Sequence, residues 1–457
     1  MNPTSIGWIG IVRLGIVQAA LGAIVVLTTS TLNRVMVVEL ALPAMLPGAL
    51  VALHYAMQLL RPRMGHGSDV GLRRTPWIIG GMATLAVGGV GAAVATVLMV
   101  DSLAVGVVLA VLSFMLIGGG VSAAGTSLLV LLAKRVDRHR RAAAATVVWM
   151  MMIAGFAVTA TIAGKLLDPF STGRLVAVTA AVSVTALLMA WLAIWGVEGG
   201  ACASGEREGQ QTRAHFRQAL AQVWSEPDAR HFTIFVFVSM LAFSAQDLIL
   251  EPFAGAIFLF SPGESTKLSG VQHGGVFAGM LLVALATSVF GRSSRAASLK
   301  SWTIGGCIAS ALALAGLAYA GVVGAPWPLR ENVFILGLAN GAFSIAAIGS
   351  MMAMASQGHQ AREGVRMGLW GAAQAIAFGA GGFLGTVLSD IARLVLNSPG
   401  AAYAVVFALE AIAFFAAAWL AANIRIDSTM AASGGRDREP LLPSAYVQTM
   451  QQAKGGD

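Results

Sequence analysis

Cysteine is nearly absent from this chain. The two present, Cys202 and Cys307 among 457 residues, offer neither a disulfide framework nor a metal pattern. Charge is scarce as well, at 11% Asp, Glu, Lys and Arg against about 25% in soluble domains, which excludes an ordinary water-soluble fold. The motifs of covalent and nucleotide chemistry are also missing. Gly164-Lys165 has neither the upstream glycine nor the following Ser or Thr of a phosphate-binding loop. No HExxH, CxxC or GxSxG occurs, nor does the aspartate-rich magnesium–diphosphate motif of a prenyltransferase. The expectation is a protein that is not an enzyme and holds no metal of its own.

What is there is apolar sequence: 57% of residues are hydrophobic and the mean hydropathy is +0.77. A bilayer core about 30 Å thick takes about 20 apolar residues of helix. Runs of that order lie at 8–32, 40–60, 76–100, 103–133, 142–166, 174–196, 231–260, 270–291, 301–323, 330–355, 366–391 and 401–423. They predict an all-α integral membrane protein with twelve transmembrane helices. The first run is too long for a signal peptide, lacks a small-residue cleavage site and carries Arg13 and Gln18, so it reads as a retained span.

The net charge of +8 is distributed unevenly. With the N-terminus in the cytoplasm, 23 of the 29 Lys and Arg fall on the cytoplasmic side, all but Arg34, Lys165, Arg174, Lys267, Arg330 and Arg393. This positive-inside bias predicts N-in, C-in topology. The basic loops then face anionic membrane lipid, and the charge calls for no nucleic acid partner.

The most polar interruption, 197–230, reads as a cytoplasmic linker between a six-span half at 1–196 and a second at 231–424, with a short surface helix near His215 to Trp224. Residues 425–457 read as a flexible cytoplasmic tail. The halves look related. Gly118-Gly-Gly-Val-Ser-Ala-Ala-Gly-Thr126 leads into a basic loop and then Trp149, while Ala339-Asn-Gly-Ala-Phe-Ser-Ile-Ala-Ala-Ile-Gly-Ser350 leads past Arg362 and Arg366 to Trp370. Six plus six spans with such a repeat resembles the major facilitator superfamily. The loop Gly65-His-Gly-Ser-Asp69-Val-Gly71-Leu-Arg73-Arg74 resembles that superfamily's conformational loop signature. There Asp69 is placed to cap a helix N-terminus and hold an arginine across the seam between halves.

Asp247 and Glu251 stand four residues apart, on one face of the seventh span. A carboxylate at bilayer depth costs about 2.5–3.5 kcal/mol on insertion scales, so it faces a cavity, a partner or a ligand. The other reading is a helix end leaning out to the headgroups. Pro252 cannot donate to the Leu248 carbonyl, which predicts a kink or break.

Three stretches are similar to the PucC/LhaA family. They are Ser244-Ala-Gln-Asp-Leu-Ile-Leu-Glu-Pro-Phe-Ala-Gly-Ala-Ile-Phe continuing through Pro262-Gly-Glu-Ser-Thr-Lys-Leu-Ser269, Thr31-Leu-Asn-Arg-Val-Met-Val-Val-Glu-Leu40, and Gly364-Val-Arg-Met-Gly-Leu-Trp-Gly-Ala-Ala-Gln374. The resemblance implies an assembly factor of a purple photosynthetic bacterium that binds or delivers bacteriochlorophyll during biogenesis of light-harvesting antenna complexes. It implies bacteriochlorophyll a as bound cargo, antenna polypeptides and bacteriochlorophyll synthase as partners, and the inner, intracytoplasmic photosynthetic membrane as location. The short second-to-third loop points towards the core-antenna branch or the branch encoded among pigment-synthesis genes.

On this reading Gln246, Asp247, Glu251, Asn33, Arg34, Glu39, Gln18 and Gln374 are the pigment or cavity candidates. Arg34 is expected to neutralise Asp247 or Glu251, the alternative being a local pair with Glu39. His54 and His273 are the histidines placed at bilayer depth, each a candidate magnesium-chlorin ligand or simply a hydrogen-bonded residue of the bundle. Thr28, Thr29 and Ser30 extend the polar strip, which either lines the cavity or bonds between helices. Met150, Met151, Met152, Met351, Met352 and Met354 form a soft wall or packing filler. Gly118, Gly119, Gly120, Gly379, Gly381 and Gly382 read as close helix contacts. Two rivals stay open. One is a proton-coupled transporter of a small amphipathic solute, with Asp247 and Glu251 as relay; the other is a pigment-free scaffold for antenna polypeptides.

Overall fold

The computed structural model of the chain describes residues 6–60, 73–137, 140–198, 224–289, 298–356, 363–396 and 398–424. Gly65, Asp69, Gly71, most of the linker with its expected surface helix, and the tail lie outside the described residues.

Among the described residues twelve helices follow in order: α1 Trp8–Glu39, α2 Met45–Leu60, α3 Thr75–Asp101, α4 Leu103–Arg135, α5 Arg141–Leu166, α6 Thr172–Ile194, α7 Pro227–Phe258, α8 Pro262–Val289, α9 Leu299–Val323, α10 Leu329–Ser356, α11 Glu363–Leu396 and α12 Pro399–Asn423. Eleven are long and apolar enough to cross a bilayer, and α2 is a shorter apolar helix. It starts late because the chain ahead of it is irregular: Ala41 takes a left-handed φ of 51°, and Pro43 follows. Starts are marked by local chemistry. Ser171, Ser298 and Ser398 accept backbone N–H bonds at the heads of α6, α9 and α12.

The head of α3 is capped from a distance. Glu198, just past α6, accepts from Arg74 N at 2.5 Å, Thr75 N at 2.9 Å and Thr75 Oγ1 at 2.6 Å. Burial opposes ionisation of this carboxyl. The bonds from Thr75 and Arg74 outweigh it, so the group titrates below the usual glutamate range.

Two apolar cores match the two halves. One gathers α1 to α6 around residues such as Leu14, Leu85, Phe114 and Leu128, the other α7 to α12 around Phe235, Phe253, Leu314 and Phe407. A third, smaller cluster of Ile153, Val276, Met280 and Ala346 spans the halves. The halves meet along α2 with α11, along α5 with α8, and where the end of α1 lies on α7 and α8. Small residues permit close packing: a Cβ on Gly120 would stand 2.6 Å from Leu85 N, and one on Gly381 2.4 Å from Leu241 O.

The hydrogen bonding of α1 changes near its end. Leu27–Thr31 and Val35–Glu39 are π-helical and flank a short α segment, Leu32–Arg34. Such wide turns concentrate at functional positions.

Candidate functional site

The wide turns present Ser30, Asn33 and Arg34 to the second half. Asn33 Nδ2 donates to the Leu248 carbonyl at 2.5 Å. That is the carbonyl Pro252 leaves without its helical donor. The expected break is therefore not seen: α7 runs through Pro252 to Phe258, with a side chain of α1 standing in for the missing N–H. Ser30 Oγ donates to Glu251 Oε1 and lies 3.2 Å from Ser269 Oγ, and Thr31 and Thr266 hydroxyls meet at 3.0 Å.

The expected ion pair of Arg34 with Asp247 or Glu251 is corrected. Arg34 Nη1 pairs with Glu39 Oε1, one π turn away, and Nη2 donates to the Phe260 carbonyl at 2.6 Å. The pairing is local although Arg34 is only 2% exposed. The guanidinium lies against Gly255, where a Cβ would stand 2.9 Å from Nη2. From there its charge reaches Glu251 without contact. Asn33, Arg34 and Glu251 thus all bond between the halves.

Two further acids complete the group. Asp247 is half-buried, and its Oδ1 accepts from Gln272 Nε2 at 3.2 Å. Glu410 on α12 is buried, has no hydrogen-bond partner at either carboxyl oxygen among the described residues, and lies near enough to feel the charge of Asp247. Gln246 is buried with both amide atoms unpartnered among those residues. The sequence reading missed Glu410 and Gln272. Glu410 carried a signal, as the lone charged residue of the run 401–423.

The histidines differ. In His54 the Nε2 accepts from Gln58 Nε2 at 3.0 Å, since an amide nitrogen only donates; that nitrogen is already used. His273 sits at the α5–α8 seam, edge-on to Phe156 with centroids 5.0 Å apart. Its Nδ1 lies 2.9 Å from the Ser269 carbonyl. A carbonyl only accepts, so Nδ1 carries the hydrogen and Nε2 of the neutral ring keeps its lone pair. That is the arrangement of a ligating imidazole. Gln18 reaches Met152 Sδ across α1–α5 at 3.1 Å, and Gln374 reaches Met240 Sδ across α11–α7 at 3.9 Å. Met151 packs on Gly15; the side chains of Met352 and Met354 lie outside the described residues. Arg73 is exposed and Arg74 buried beside Glu198.

These pairs expose an internal repeat. Gln18 and Met240 are 222 positions apart (240 − 18), and the same spacing relates Met152 to Gln374, Phe156 to Phe378, Gly48 to Gly270 and Asp168 to Asp390. The last two pairs sit on the seams. Gly48 packs on Thr386 and Gly270 on Thr161. Asp390 on α11 accepts from the N–H groups of Ala44 and Met45 at 3.0 and 2.8 Å. Asp168, past α5, accepts from Lys267 Nζ at 2.7 Å and Ser261 Oγ at 2.8 Å. The two aspartates thus close the same end of the molecule.

Twelve helices in two repeat-related halves, with buried acids in one half and a polar strip from the other bonded to them, define a multi-pass membrane protein of the facilitator fold. Solved transporters share that fold. The nucleoside transporter NupG superposes with a TM-score of 0.64 at 14% identity, covering 93% of this chain and 99% of that one. A bacterial homologue of the human drug peptide transporters PepT1 and PepT2 superposes with a TM-score of 0.65 at 13% identity, covering 91% and 97%. The chain belongs to the PUCC protein family, whose model matches residues 31–429. It is 50% identical over 421 residues, 92% of this chain and 96% of the relative, to the "Bacteriochlorophyll synthase 44.5 kDa chain" of Rhodobacter capsulatus. It is 30% identical over 431 residues, 88% of each, to "Protein PucC" of Cereibacter sphaeroides.

Proposed function

We propose that the chain is an assembly factor that binds bacteriochlorophyll and delivers it to light-harvesting antenna complexes under construction in the intracytoplasmic photosynthetic membrane. The observation that carries the reading is His273: an imidazole in an apolar spanning helix, its hydrogen set on Nδ1 by the Ser269 carbonyl, beside Phe156 at a helix seam. Nε2 is the atom that would ligate a magnesium chlorin, with Phe156 edge-on to the imidazole and Met152, bonded to Gln18, one turn earlier on the same helix as Phe156. Family membership supports this reading, as does 50% identity to a relative named for bacteriochlorophyll, against 30% to PucC. The word synthase in that relative's name is taken as association with pigment synthesis, because the sequence carries no catalytic motif. Antenna polypeptides receive the pigment, bacteriochlorophyll synthase supplies it, and membrane lipid solvates the protein.

The test is an absorption spectrum of protein purified in mild detergent from a strain that makes bacteriochlorophyll but no antenna polypeptides. Near-infrared absorption at a fixed pigment-to-protein ratio, lost in His273→Leu and kept in His54→Leu, is expected. A colourless, folded protein overturns the reading.

A second reading has its own observation. Asp247, Glu251 and Glu410 share the interior of one half without an ion-pair partner among the described residues, which suits proton-coupled movement of a solute. It predicts proton flux in vesicles that is lost in Glu410→Gln.

A further inference from the structure

The two seams between halves are equivalent by repeat and different in chemistry. At α2–α11 the outer tie is main chain: both oxygens of Asp390 hold N–H groups at the head of α2. Below it Thr386 meets Gly48, and Tyr55 meets Phe378 with centroids 5.6 Å apart. At α5–α8 the tie is made of side chains. Asp168 holds Lys267 and Ser261, and the carboxylate and ammonium are each about a third exposed, at 31% and 34%. Thr161 meets Gly270, and Phe156 meets His273. The position related by 222 to His273 is Val51. Among the described residues, the α5–α8 seam sets His273, bonded to the Ser269 carbonyl through Nδ1 and not Nε2, behind a tie of exchangeable side chains. At the other seam His54 has its Nε2 taken by Gln58, and the tie, though exposed at Met45, is made to backbone N–H groups. The outer face of the α5–α8 seam is apolar, with Val158, Ile162 and Leu166 more than half exposed, as suits contact with lipid.

We propose that the α5–α8 seam is a lateral portal through which a membrane-dissolved magnesium macrocycle reaches His273, held shut by Asp168, Lys267 and Ser261, while the α2–α11 seam is the hinge. This rests on the pigment-handling reading for its cargo and on geometry alone for the hinge. Opening breaks one ion pair and one hydroxyl bond, both replaceable by water, because an exposed pair contributes only about 0–1 kcal/mol. Opening the other seam would uncap a helix. Gly164 and Gly263 bring the two backbones together behind the tie: a Cβ on Gly164 would stand 2.6 Å from Gly263 O.

Disulfide locks test the portal. A Cβ on Gly270 would stand 2.5 Å from Thr161 Oγ1, and one on Gly48 3.0 Å from Thr386 Cβ, both near bonding range for paired cysteines. With Cys202 and Cys307 replaced, T161C/G270C and G48C/T386C are each oxidised in the full chain and offered bacteriochlorophyll in vesicles of anionic lipid. Oxidised T161C/G270C is expected to lose pigment loading and recover it on reduction, and oxidised G48C/T386C to load as the reduced form does. Equal loss in both, or loss in neither, overturns the portal. If the unlocked protein takes up no pigment, the functional reading fails instead, and the seam is judged without cargo. Spin labels at Leu166 and Leu259 should then move apart in D168N/K267Q, while labels at Met45 and Leu394 hold their distance. No widening, or equal widening, overturns the hinge assignment.

Discussion

Among the described residues, the first half buries no carboxylate, whereas the second buries Glu251 and Glu410 and half-buries Asp247. The first half supplies the complement: the hydroxyl of Ser30, the amide of Asn33 and the guanidinium of Arg34, all turned towards the second. Packing positions such as Gly48 and Gly270 keep the likeness of the repeat, while polar positions have diverged. The difference teaches that the halves are complementary rather than duplicate. Charge sits where one half can satisfy the other, so the polar groups specify how the halves fit as well as how each one folds.

The largest test of that complementarity is Arg34. Arg34→Leu leaves Glu39, 36% exposed, to water, but takes the donor from the Phe260 carbonyl, and an unsatisfied partly buried acceptor costs about 1–3 kcal/mol. Unfolding in mixed detergent should show a loss of that order, and a change under about 1 kcal/mol would mean that the carbonyl does not rely on this donor.

Asn33 offers a sharper comparison. Asn33→Ala leaves the Leu248 carbonyl unsatisfied, at about 1–3 kcal/mol. Pro252→Ala restores the helix's own N–H, so the double variant should regain most of the loss. Additive losses would show that Asn33 does not substitute for that donor.

Glu410 breaks the comparison from the other side. Making the second half as free of buried acid as the first, with Glu410→Leu, removes an unpartnered polar group and should stabilise by about 1–3 kcal/mol. Destabilisation would mean that the carboxyl has an unseen partner.

The smallest effect concerns pH at the ends. Asp168 and Glu198 both titrate below their ordinary ranges: burial opposes ionisation, but hydrogen bonds from Lys267 and Ser261 in one case, and from Thr75 and Arg74 in the other, prevail. A depressed carboxyl adds stability that is present above its unfolded value, near pH 4, and lost as pH falls through the folded one. Melting temperature should stay flat in this respect from pH 7 to about 5 and fall below about 4. In Glu198→Gln that acid-side fall should be shallower.

Much of the fold was legible in the sequence, because apolar runs of spanning length announce helices directly. All twelve are there, several longer than their runs. α1 continues to Glu39 and α11 to Leu396, since a helix does not stop where hydrophobicity does. The acids of α7 were legible too, as charges in an apolar run. Their partners were not. That Asn33 would serve Leu248, or Glu198 the head of α3, depends on which helices touch, and pairs separated by 215 and 123 positions leave no local trace. For Arg34 the sequence left two partners open, and the structure takes the local one, Glu39, five residues away across a wide turn that no residue pattern marks.

Those wide turns have one more consequence. A π turn holds about one residue more than an α turn, and one residue on a helix is a rotation of about 100°. Leu32–Arg34 lies between two of them. Tightening one while loosening the other would spin that three-residue segment about the helix axis and leave both ends of α1 in place. The amide that serves Leu248 and the cation beside Gly255 would swing away together, so a single turn of three residues would undo two of the links that join the halves.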